Sequence, residues 1–123
     1  MRSAWQGLTG WIFPLTPQPA KAVFEQKTDG QGVRYRRPEN IVVESVGEGL
    51  ILLDLELGTA FQLNSTGKRV WEFAGKGQNV GEIVQELSRT FSVTREQLEQ
   101  DVTAVIRQLL QNHLLEPLAG EDQ

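Results

Sequence analysis

Leu50-Ile-Leu-Leu-Asp-Leu-Glu-Leu-Gly-Thr-Ala-Phe-Gln-Leu-Asn-Ser-Thr-Gly-Lys-Arg-Val-Trp71 changes its hydrophobic period partway along, and that change sets the fold class. Leu50 to Leu55 is apolar at nearly every position, as in a central strand buried on both faces. Glu56-Leu57-Gly58 offers a turn, with glycine where a positive φ costs little. Thr59 to Leu63 then alternates, Phe61 and Leu63 on one face and Ala60 and Gln62 on the other. After Leu63 the spacing becomes helical. Asn64 or Ser65 caps a helix with Val70, Trp71, Phe73 and Ala74 inward, ending at Gly75.

Upstream, Ile41 to Val46 is β-branched and bounded by Pro38 and by the turn Gly47-Glu48-Gly49. Short turns join the three runs into a three-stranded antiparallel meander. Downstream, Asn79 with Glu82 resembles a capping box opening a helix with Ile83, Val84 and Leu87 inward. Ser92-Val93 turns the chain, and Thr94 with Gln97 opens a third helix running to about Asn112. Its apolar stripe is Leu98, Val102, Val105, Ile106, Leu109 and Leu110. The expected class is α+β, a meander followed by three helices, with residues 39–117 folding as one domain and 118–123 a disordered tail.

Residues 1–38 read differently. Pro14, Pro17, Pro19 and Pro38 and the run Thr28-Asp-Gly-Gln-Gly32 punctuate them, so an irregular arm is expected. It is basic, and it carries Trp5, Trp11, Phe13, Phe24 and Tyr35, which either pack on the body or are held for a partner. The net charge of −4 therefore divides into a basic arm and an acidic body. With 39% apolar residues in 123, the chain supports one modest core. No run approaches the roughly 20 apolar residues that cross a bilayer, and Trp5 to Leu15 lacks the pattern of a signal peptide. A cytoplasmic protein is the expectation.

The chemical inventory is sparse. With no cysteine, disulfides, thiol catalysis and Cys-based zinc sites are excluded, and a single histidine, His113, removes His-cluster metal sites and a Ser-His triad. Glu96, Glu99 and Asp101 lie on the third helix, where a solvated face is the simpler reading than an acid–base pair. His113 at that helix's C-terminus suits capping. Gly47-Glu-Gly49 and Gly75-Lys-Gly77 are turns, and neither matches a phosphate loop. Ser65-Thr66 lacks the setting of a carrier attachment serine and is read as a cap. No catalytic residue, metal ligand or cofactor is expected.

Two binding readings remain. The second and third helices form a helix-turn-helix, which would fit a nucleic-acid-binding regulator. Arg95 and Arg107 there face Glu96, Glu99 and Asp101 on an acidic body, which repels phosphates. The other reading is the sheet edge. Thr59 to Leu63 holds no proline and no charge, the devices that usually blunt an edge. Such an edge accepts an added peptide strand, or it is covered by the arm or by a second copy in a homodimer. On the residues alone these weigh the same.

An ordered series of short motifs adds to this. Leu52-Leu-Asp-Leu55, Gly58, Phe61-Gln-Leu-Asn64, Thr66-Gly67 and Val70-Trp71-Glu72 resemble the signature of the PqqD-like family. Val80-Gly-Glu-Ile-Val84, Phe91-Ser-Val93 and Asp101-Val102 follow its layout, so the resemblance covers roughly residues 36–117 and leaves the arm without a counterpart. It implies a winged-helix-like, non-catalytic domain that binds the leader segment of a ribosomally made precursor peptide. The domain then works beside a modifying enzyme, such as a radical SAM protein or a leader peptidase. The leader adds as a strand along Thr59, Ala60, Phe61, Gln62 and Leu63. It lies against a helix wall drawn from Asp101, Val102, Val105, Ile106 and Leu109. Val105 and Leu109 serve either core or groove, since one stripe supplies both. A PqqD-like scaffold that does not bind peptide is the remaining alternative.

Overall fold

The computed structural model describes residues 3–4, 11–16 and 33–118. Its elements in chain order are β1 (Ser3–Ala4), β2 (Ile12–Pro14), β3 (Tyr35–Arg36), β4 (Ile41–Val46), β5 (Gly49–Asp54), β6 (Thr59–Leu63), α1 (Ser65–Gly75), α2 (Val80–Ser88), β7 (Phe91–Ser92), α3 (Arg95–Gln111) and β8 (Glu116–Pro117). The meander is present as β4-β5-β6, antiparallel throughout, with Val43 opposite Leu52 and Leu52 opposite Phe61. Gly58 closes the second turn at φ +69. Asp54 organises that turn: its Oδ1 accepts from the N–H groups of Glu56 and Leu57 and from Asn40 Nδ2.

The helices lie against one face of this sheet. Leu50 and Leu52 of β5 and Phe61 and Leu63 of β6 meet Val70, Trp71 and Ala74 of α1, Ile83, Val84 and Leu87 of α2, and the whole apolar stripe of α3 in one buried cluster. Alternation turns Val42 and Val46 to the opposite face, where both are exposed. The helix starts are held as their sequences predict. Asn64 Oδ1 accepts from Gly67 N–H, Asn79 and Glu82 form a reciprocal capping box, and Thr94 Oγ1 accepts from Gln97 N–H. α3 ends in a Schellman motif, with Leu114 N–H donating to Leu109 O and His113 N–H to Leu110 O. His113 takes the left-handed position there at φ 62, so its backbone role is the cap.

Among the described residues before 39, short strands stand where an irregular arm was expected. β2 pairs antiparallel with β6, making a four-stranded sheet in the order β2-β6-β5-β4. β1 pairs with β7, and β3 with β8. Trp11 is 3% exposed and Tyr35 is fully buried, so the core draws on residues before 39. Trp5, Phe24 and the tail from residue 119 lie outside the described residues, whereas Leu118 N–H donates to Arg34 O. The physical reason is tertiary: short segments with weak propensity become strands when a neighbouring edge supplies bonds and a core supplies burial.

Arg34 ties the last part of the arm to α2. Its guanidinium donates to Glu82 Oε1 at 2.8 Å, Glu82 Oε2 at 3.2 Å and Gly77 O at 2.8 Å. The Arg34 hydrogen bond, and then the Asn79 N–H, hold the Glu82 carboxyl below the usual carboxylate range. A depressed carboxylate contributes stability above its unfolded value and loses it as pH falls through its folded value. Glu82→Gln is therefore expected to melt lower than the parent chain near pH 7, and the gap should close as pH falls below 4.5. Melting curves from pH 7 to 2.5 check this; a gap constant with pH contradicts it.

Candidate functional site

β6 lies between β5 and β2, and its hydrogen bonds alternate between them. Asn64 N–H donates to Trp11 O at 2.9 Å and Leu15 N–H donates to Ala60 O at 2.8 Å. With Phe13 opposite Gln62 in the same register, the outward-facing backbone groups of this edge are those of Ala60, Gln62 and Asn64. Ala60 N–H completes its pairing with the Thr16 hydroxyl at 3.0 Å. The edge that the sequence offers for strand addition accepts an extended segment, and residues 11–16 of the chain itself are that segment.

The alternation also explains how a proline sits in β2. Residues 11, 13 and 15 turn their backbone groups to β6, so Pro14 falls at a non-hydrogen-bonded position opposite Phe61. Its missing N–H lies on the outer side, where it blunts the new edge. Ile12 packs toward the core, while Phe13 and Leu15 are 48% and 47% exposed.

Trp11 is the anchor. Its indole lies over Gly67 so closely that a Cβ at residue 67 would stand 2.6 Å from Cε3, 3.0 Å from Trp11 O and 3.4 Å from Leu63 Cβ. Gly67 N–H is itself held by Asn64 Oδ1 at 2.9 Å, so the helix start and the seat for the aromatic are one construction. Trp11, Ile12 and Gly67 are the site residues that sequence reasoning passed over. The Thr66-Gly67 pair was the available signal, because glycine in a first helical turn invites close approach.

The other residues read as the site take the following places. Thr59, Phe61 and Leu63 are buried on the helix side, and Ala60 is nearly so on the opposite face. Val102, Val105, Ile106 and Leu109 show no exposure and share the buried cluster with Trp11. Asp101 is half-buried, with Gln97 Nε2 donating to its Oδ1 at 3.0 Å. The α3 residues close over a core that the arm helps to fill.

A second concavity, about 290 Å³, is lined by Pro38, Asn40, Asp54, Leu110, His113 and Glu116 among others. Two of its carboxylates are engaged structurally: Asp54 Oδ1 in the turn, and Glu116 with Arg36 Nε at 2.6 Å. Among the described residues no group of three or more potential metal ligands occurs, and no helix is long and apolar enough to cross a membrane.

The sequence family described as Coenzyme PQQ synthesis protein D (PqqD) matches residues 49–115, from β5 to the turn after α3. Among solved structures, the chain is similar to TbiB1 in complex with the TbiA(beta) leader peptide, at 28% identity and a TM-score of 0.62 over 72% of this chain and 99% of that one. It is also similar to a lasso peptide synthetase B1 complexed with the leader peptide, at 27% identity and a TM-score of 0.63 over 68% of this chain and 99% of that one. No curated relative matches.

Proposed function

The chain belongs to the PqqD family, and on that premise we propose that it binds the leader segment of a ribosomally made precursor peptide. Its part is recognition. A separate enzyme in the same compartment, the cytoplasm, carries out the modification, and the bound leader holds the precursor within that enzyme's reach. The observation that carries the reading is the outer edge of β6, which takes an extended segment by antiparallel main-chain pairing with an aromatic seated over Gly67. Strand addition of this kind draws affinity from backbone bonds and selectivity from the pockets that alternate side chains enter. On this reading Ala60, Gln62 and Asn64 supply the backbone groups. Val102, Val105, Ile106 and Leu109 then form the apolar floor beneath the leader's anchor, and Asp101 stands at its border.

The nucleic-acid alternative is not favoured. Arg95, at the start of α3, is paired with Glu99 at 3.4 Å, and the surrounding body is acidic.

Fluorescence anisotropy tests the proposal, with a labelled leader taken from any short precursor reading frame found beside this chain's gene. Saturable one-to-one binding in the micromolar range is expected, since a short strand's bonds and one or two buried side chains are offset by ordering the peptide. Affinity equal to that of a scrambled peptide of the same composition counts against leader recognition.

A further inference from the structure

We propose that residues 11–16 are a built-in stand-in for the leader: they occupy the β6 edge until a leader replaces them, and the leader sets a large apolar side chain where Trp11 now sits. The proposal rests on the leader-binding reading above and adds how that site is controlled and what it selects.

The geometry leaves little room for both occupants. Ala60 N–H, Ala60 O and Asn64 N–H are each already used by residues 11–16, so a leader pairing with β6 meets no free outward group at those positions. Adding instead to the outer side of β2 is poorly supported, because that strand is three residues long and Pro14 offers no outward N–H. Replacement is the route the bonds allow.

The hold on the segment is also of a kind that another peptide can match. Trp11 enters the core and Ile12 packs against it, whereas Phe13 and Leu15 stay about half exposed. A longer extended peptide with one aromatic or large aliphatic anchor offers the same bonds and more of them. Its disadvantage is molecularity, since a tethered segment acts at an effective concentration near millimolar. The apparent affinity for a leader is its intrinsic affinity multiplied by the fraction of chains whose edge is open.

Residues 11–16 lie outside the family match, which begins at Gly49.

A cysteine-free chain makes the test direct. Phe13→Cys/Gln62→Cys places two cysteines at a hydrogen-bonded antiparallel pair, where Cα atoms stand about 5.5 Å apart, within disulfide range. The same precursor leader is titrated into this variant oxidised and reduced, into the parent chain, and into Trp11→Ala, with folding of each checked by circular dichroism. The expected result is binding by the reduced form, at least tenfold weaker binding by the oxidised form, and at least tenfold tighter binding by Trp11→Ala than by the parent. A labelled peptide of residues 8–18 should bind Trp11→Ala and compete with the leader there. Equal binding by oxidised and reduced chains overturns the proposal while leaving leader recognition standing, and directs attention to the outer edge of β4. If Trp11→Ala unfolds, the comparison of oxidised with reduced chain decides alone. Absence of leader binding in every form removes the recognition reading and this proposal with it.

Discussion

Replacing Trp71 by alanine should cost about 3–5 kcal/mol, the range for truncating a buried tryptophan, against a total of roughly 5–15 kcal/mol for a small domain. The indole is fully buried at the meeting of α1 with the sheet and α3. Its Nε1–H donates to Leu114 O at 2.8 Å, so one side chain ties α1 to the turn that ends α3. The Arg37 guanidinium lies 4.3 Å from the ring centroid, covering it from the arm side. Alanine would leave a cavity and an unpaired buried carbonyl together. Trp71→Phe separates the two, keeping most of the packing and losing the hydrogen bond, with an expected cost of about 1–3 kcal/mol. Urea unfolding of both variants measures the pair. A cost below 1 kcal/mol for the alanine would show that the core is not organised around this residue.

Trp71 also marks what could be read from the chain alone. With Val70 and Ala74 it makes an i, i+1, i+4 pattern behind a capping asparagine, and both pattern and cap are local. The same holds for the Asn79–Glu82 box, the β5–β6 turn at Gly58 and the length of α3. Each is fixed by residues within a few positions of one another, where spacing carries the information. The motif series from Leu52 to Glu72 added a family resemblance to that framework, and the match over residues 49–115 bears it out.

The arm was not legible for the opposite reason. Ile12–Pro14 is a strand because β6 supplies its bonds, and β6 lies nearly fifty residues later in the chain. Pro14 argued against a strand locally; at a non-hydrogen-bonded edge position it costs nothing. Trp11, Phe13 and Leu15 alternate as in a strand, but Pro14 interrupts so short a run, and the burial of Trp11 depends on Gly67 having no side chain. Tyr35 is likewise buried beside a strand pairing that joins it to Pro117. Residue pattern could name the edge as open to a strand. It could not say which strand fills it, since the arm, a second copy and a leader all satisfy the same bonds.

Gly49→Ala is expected to be at least as damaging as the loss of Trp71, from a single added methyl group. Gly49 opens β5 and is buried opposite Val46. A Cβ there would run into the carbonyl oxygen of Leu63, with Leu63 C at 3.2 Å and Asn64 Cα at 3.3 Å. These are backbone atoms of the neighbouring strand, so no rotamer change relieves the clash. Either β6 moves away from β5 or the end of the β4–β5 hairpin swings out. Overpacking in a well-packed interior costs about 1–3 kcal/mol when side chains can give way, and more when they cannot. The displaced segment, Leu63–Asn64, is also the one that pairs with Trp11 and caps α1. The damage should therefore spread to the arm and to the helix start. Gly81→Ala is the matched control, since its nearest neighbour is Asn79 Oδ1 at 3.6 Å and alanine favours a helix. Thermal and urea unfolding should show a large loss for residue 49 and little change or a gain for residue 81. Similar stability of the two variants would mean that the β5–β6 junction is looser than the close approach of Gly49 to Leu63 requires.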